Sequence, residues 1–197
     1  MAALLFLVTA TAMGGHGFMT AFGNIEWLPE PGRTPDQTWY AADVIQETAS
    51  LWAADTPNER LKLSLQFARE KLAELEAMLM SENSDAAKTA IDQYWNYLGR
   101  AKDSIPPHKE HKQQEVDEMT ETLTNHILEH QYILTIIFYD LPVPSRTPLK
   151  VFFRESQKFY PTVADQMPRK KRGSLFFKEE EVRWAIEMAM RDNGQDG

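Results

Sequence analysis

The sequence predicts an all-α fold: an antiparallel bundle of long coiled-coil-like helices behind an N-terminal signal or membrane-anchor segment. Three observations predict it. Apolar residues recur at alternating steps of three and four, which is one face of a helix. No alternating run is long enough for a strand. Proline, glycine and capping residues punctuate the chain between the periodic segments.

Residues 1–23 come first, and they carry no Asp, Glu, Lys or Arg; the first charge is Glu26 and the first basic residue Arg33. Ala2 to Ala12 is apolar apart from Thr9 and Thr11. Three readings fit. An export signal needs an apolar stretch of about 7–15 residues and a small-x-small cleavage site, and Ala10-Thr11-Ala12 has that form. An uncleaved anchor would span roughly 34 Å as a helix at about 1.5 Å per residue. The third reading is a buried N-terminal helix. Residues 24–36 follow as a proline-rich linker, with Pro29, Pro31, Gly32 and Pro35.

The helical domain is expected over 37–165. A first helix starts after Thr34 or Asp36 and presents Trp39, Tyr40, Val44, Thr48, Leu51 and Trp52. Thr56-Pro57-Asn58-Glu59 is a capping box with proline at the first helical position. The second helix then shows Leu61, Leu65, Ala68, Leu72, Leu75 and Leu79, spaced 4, 3, 4, 3, 4. Arg60, Lys62, Arg69, Glu70, Lys71, Glu74 and Glu76 are expected on its wet side. Ser81 to Ser84 ends this helix and caps the third, whose face is Ala87, Ile91, Tyr94, Leu98 and Ala101, continued by Ile105 and stopped by Pro106-Pro107. A short loop makes the two antiparallel neighbours. A fourth helix runs from about Glu110 to Tyr139 with Val116, Met119, Leu123, His126 or Ile127, His130, Ile133 or Leu134, and Ile137 inward. Thr147-Pro148 opens a fifth, with Leu149, Val151, Phe152, Phe153 and Phe159, ended or kinked by Pro161. Residues 166–197 read as a tail: the basic cluster Arg169 to Arg172, then Phe176 and Phe177, then a short amphipathic run. Trp39, Trp52, Tyr94, Trp95 and Tyr97 sit near core spacing, so packing accounts for them.

Composition excludes several functions. The formal net charge is −8, and an acidic chain lacks the basic footprint of a nucleic-acid binder. Zero cysteine removes disulfide scaffolds, thiolate nucleophiles, Cys-ligated zinc and Cys-held iron–sulfur clusters. No GxGxxG, P-loop, GxSxG or Glu-x-x-His pattern occurs.

One chemical pattern does occur: His126-Ile127-Leu128-Glu129-His130. H-x-x-E-H is the inverzincin pattern, in which two imidazoles four apart hold zinc and the glutamate is the general base. Its context here is helical, so the metallopeptidase reading is remote. His126, Glu129 and His130 instead stand as candidate ligands for zinc or copper in a sensor or chaperone, beside the plainer reading of two locally bonded core histidines. His108 and His111 form a second pair after Pro106-Pro107. Arg169 to Arg172 with Phe176 and Phe177 suit an anionic lipid surface or a solvated linker.

The order of segments adds a resemblance. Leu28-Pro29, Asp55-Thr56-Pro57-Asn58-Glu59-Arg60, the block Leu65-x-Phe67 through Arg69 to Leu79, Tyr94-x-x-Tyr97-Leu98, and His130-x-x-x-Leu134 leading through Pro142 to Phe152–Ser156 follow one another. Over roughly residues 24–160 the chain resembles the bacterial and archaeal helical family catalogued as domain of unknown function 5667. The resemblance implies an N-terminal membrane segment and an extracytoplasmic helical domain, and carries no catalytic residue. The expectation is therefore a non-enzymatic interaction or scaffold domain outside the cytoplasm, in the periplasm or cell envelope. It would hold an unidentified protein partner, touch the membrane through its N-terminal segment, and bind no nucleic acid.

Overall fold

The computed structural model describes residues 20–23, 25–107 and 112–192. Six helices and one 3-10 turn make up the fold, with no strand among the described residues: α1 Tyr40–Ala53, α2 Pro57–Met80, α3 Ser84–Asp103, α4 Gln113–Asp140, the turn Val143–Ser145, α5 Arg146–Ala164 and α6 Arg169–Arg191. The all-helical expectation holds. Residues 1–19, His108 and His111 lie outside the described residues.

Local chemistry accounts for the helix ends. Thr56 caps α2 as expected: its hydroxyl accepts from the Glu59 amide at 3.2 Å, and the Glu59 carboxylate accepts from the Thr56 amide at 3.1 Å. The α2–α3 connection is a Schellman turn: the Asn83 amide donates to the Met78 carbonyl at 2.8 Å and the Glu82 amide to the Leu79 carbonyl at 3.1 Å. Glu82 takes the left-handed position, φ 57°, that glycine ordinarily fills. Asn83 then caps α3 through the Ala86 amide.

The α2–α3 hairpin has the most extensive interface, α4 packs on α2, α5 lies across α3 and α4, and α6 covers α4 and α5. The expected α2 residues Leu61, Leu65, Ala68, Leu72, Leu75 and Leu79 are all buried. In α4, Ile127 rather than His126 takes the inward register, and both Ile133 and Leu134 are buried. Tyr94, Trp95 and Phe152 form an aromatic cluster between α3 and α5, with ring centroids 4.9–5.0 Å apart.

Three expectations change. α1 starts at Tyr40 and turns Tyr40, Glu47 and Leu51 inward. Trp39 (68% exposed) and Trp52 (82%) face out, because α1 packs chiefly on α2 and those two positions lie off the side that meets it. Pro161 does not end α5, which continues to Ala164. Pro161 and Gln157 both face solvent, so water can take the Gln157 carbonyl that loses its helical donor. The stretch after Arg169 is one 23-residue helix, and Leu175, Val182, Ile186 and Ala189 bury against the bundle.

The chain enters along this last interface. Phe22 stacks on Tyr132 with centroids 4.5 Å apart, and the Ala21 amide donates to Glu181 at 2.7 Å. The proline-rich linker is then pinned by Arg69, which pairs with the Glu26 carboxylate at 2.7 Å and donates to the Glu26 and Trp27 carbonyls.

Candidate functional site

The α2 sequence contains a second stripe beside the leucine one. Ser64, Phe67, Lys71, Glu74 and Met78 recur at 3, 4, 3, 4, and all five are buried. α3 and α4 pack on α2, and α1 packs on it as well, with Tyr97 of α3 reaching the second stripe at Phe67. Lys71 and Glu74, expected on the wet side, therefore lie in the interior: Lys71 is 0% and Glu74 1% exposed. Phe67 and Met78 are the apolar members of this stripe, but nothing local in the sequence says that a neighbour closes over Lys71 and Glu74 between them.

Three elements build the cluster around Lys71. Its ammonium donates to Glu47 of α1 at 2.8 Å and to Glu74 at 2.7 Å. Tyr97 of α3 donates its hydroxyl to the other Glu47 oxygen at 2.5 Å. Tyr40 of α1 lays its ring 5.1 Å from the ammonium. The Tyr40 hydroxyl and Glu74 are buried beside one another, and neither the hydroxyl nor Glu74 Oε2 has another partner. Glu47, Tyr40 and Tyr97 are reached only through the fold, because they come from elements up to 57 positions apart (Tyr40 to Tyr97).

Two carboxylates sharing one ammonium leave a surplus negative charge in a dry site. Burial therefore pushes Glu74 up to about 7, against the pull of Lys71. Burial alone would lower Lys71, but its bonds to Glu47 and Glu74 outweigh it and hold the ammonium above the ordinary lysine value. Burial and the neighbouring carboxylates raise the Tyr40 and Tyr97 phenols, so both remain protonated. The arrangement holds a proton near neutrality and ties α1 to the α2–α3 hairpin.

The H-x-x-E-H residues sit on α4. His130 is fully buried, with Nδ1 3.3 Å from the Tyr94 hydroxyl and Nε2 without a partner. Burial keeps its pKa well below the usual imidazole value, so the ring is neutral. His126 is part-exposed, its ring 5.8 Å from that of His130, and burial lowers it too. Glu129 lies 4.0 Å from His126 Nδ1 and 3.6 Å from the Lys178 ammonium. The helix thus brings the two imidazoles together, but no group of three or more His, Asp or Glu able to hold a metal occurs among the described residues. The basic cluster is half neutralised: Lys171 pairs with Glu121 at 2.9 Å and Arg172 with Asp165 at 2.5 Å.

The family model described as Domain of unknown function (DUF5667) matches residues 32–132. No curated protein and no solved structure matches the chain.

Proposed function

The chain belongs to the DUF5667 family, and from that premise we propose that it is a non-enzymatic, extracytoplasmic helical module that holds a protein partner and is tethered through its apolar N-terminal segment. One observation carries this reading. The charge-free stretch precedes Glu26, and the first described residues, Thr20 to Phe22, dock on α4 and α6. The described chain thus enters the fold at a defined point on its flank, with Phe177 (74% exposed) beside Thr20 and Trp184 (66%) beside Tyr132 and Glu181. Exposed aromatics beside a membrane-directed segment suit the interfacial layer of a bilayer.

The test is topology in cells. A reporter enzyme that folds only outside the cytoplasm, fused after residue 192, should be active, and removal of residues 1–19 should abolish that activity. External protease should reach the domain in cells whose outer barrier is opened. Full reporter activity only for a cytoplasm-restricted reporter would overturn the location. No metal or cofactor is required by this reading.

A further inference from the structure

We propose that the open groove where α1, α2 and α3 meet binds an acidic, aromatic-bearing segment of a partner polypeptide. This rests on the interaction-module reading and names the partner's chemistry. The groove encloses about 680 Å³ between the end of α1, the first turns of α2 and the last turn of α3. Its walls carry Arg60 and Arg100, its rim Trp52, and Leu51 and Ser64 line its floor.

Four observations converge on a ligand. First, the two guanidiniums are free of carboxylates. Among the described residues Arg60 reaches the Ala54 carbonyl at 3.5 Å and Arg100 the Asn96 amide oxygen at 3.3 Å, and neither forms an ion pair. Other cations on the bundle, such as Arg69, Lys171 and Arg172, are paired with carboxylates. A pair of unengaged arginines on a chain of net charge −8 is a local reversal of sign, and guanidiniums match carboxylates bidentately. Second, Ser64 is fully buried, its hydroxyl has no partner, and it lines the groove. An unmade bond at such a group is costly unless something supplies it. Third, Trp52 is 82% exposed at the rim, a flat apolar platform with nothing stacked on it. Fourth, Asp103 also lines the groove, without an ion pair among the described residues. An acceptor beside two donors suits a peptide, whose backbone N–H groups accompany its carboxylates, better than a bare anion.

The shape points the same way. Small-molecule sites enclose most of their ligand, whereas this groove is a partly open concavity between three helix ends. The groove is also continuous with the buried cluster. Ser64 and Lys71 lie on one stripe of α2, two turns or about 10 Å apart. Leu51 follows Glu47 by one turn of α1, and Arg100 follows Tyr97 by one turn of α3. The ionic cluster thus holds the three groove walls in place.

The test titrates the full chain, isotopically labelled, with a blocked pentapeptide alternating aspartate and phenylalanine. Parallel arms use its asparagine counterpart, phenylacetate and inorganic phosphate. The proposal expects saturable shifts of the Trp52 indole and the Arg60 and Arg100 side-chain N–H signals with the acidic peptide. It expects binding about tenfold or more weaker for the asparagine peptide and for Arg60→Gln/Arg100→Gln. Trp52→Ala should weaken binding several-fold while thermal unfolding is unchanged, since that side chain supports no packing. Ser64→Ala should weaken binding without loss of fold. Equal binding of both peptides, indifference to the double arginine variant, or absence of Trp52 shifts at millimolar peptide would overturn the proposal. Phosphate or phenylacetate matching the peptide would also overturn it, by showing an adventitious ion only or a small-acid site. None of these outcomes bears on cellular location, so the topology experiment stands or falls separately.

Discussion

Lys71 sits where water is excluded and two glutamates compete for its charge. In isolation that ammonium would be driven neutral by burial; the two short bonds to Glu47 and Glu74 keep it charged instead. The second carboxylate is then in excess, and Glu74 absorbs the conflict by binding a proton near pH 7. A carboxyl group whose folded pKa is raised favours the folded state at low pH, and that advantage is lost as pH rises from its unfolded value to about 7. His130 acts in the opposite sense. Its lowered pKa means that the unfolded chain binds the proton first, so folding weakens as pH falls below the ordinary imidazole value. In the wild-type chain these two slopes offset one another below neutrality. Glu74→Gln removes one of them. The variant should be more stable than wild type by about 1–3 kcal/mol at pH 8, should lose that margin toward pH 5, and should show the steeper acid destabilisation. Urea unfolding at a series of pH values reads this directly; a margin independent of pH would refute the assignment.

At the scale of the element, the α2–α3 hairpin shows how little backbone chemistry is needed to fix an antiparallel pair. A proline and a capping box start α2, and a Schellman turn reverses the chain in three residues. The one strained position is Glu82, where a side chain occupies left-handed backbone. Glu82→Gly should therefore stabilise the domain by about 1 kcal/mol, the usual penalty for a non-glycine residue there. A rise in melting temperature with an unchanged denaturant slope is the expected measurement. The boundaries of α2 and α3 were readable because caps and turn residues act locally. The course of α5 through Pro161 was not, because solvent on that face decides whether the orphaned carbonyl is tolerated.

For the whole molecule, α6 closes the bundle over α4 and α5 and also anchors the entering chain through Glu181. The family match stops at residue 132, inside α4, yet Leu175, Val182 and Ile186 bury beyond it. Each such side chain contributes roughly 1.5–3 kcal/mol, so together they rival the whole net stability of roughly 5–15 kcal/mol for a domain. A chain truncated after residue 168 should lose cooperative thermal unfolding and bind an apolar dye. A sharp calorimetric transition in that truncation would show α6 to be dispensable.

The sequence by itself determined the all-helical class, the α2–α3 hairpin, the leucine stripe of α2 and the family, because caps, breakers and spacing are properties of neighbouring residues. Only the tertiary structure decided which polar groups went inside and which aromatics stayed out. Lys71 and Glu74 carry the pattern of a wet face, and Trp39 and Trp52 that of a core. Periodicity marks the sides of a helix, but burial depends on how many neighbours cover them. α2 packs against α1, α3 and α4, whereas α1 packs chiefly on α2. That difference put a proton-holding charge cluster in the interior and left an indole at the rim of an arginine-lined groove.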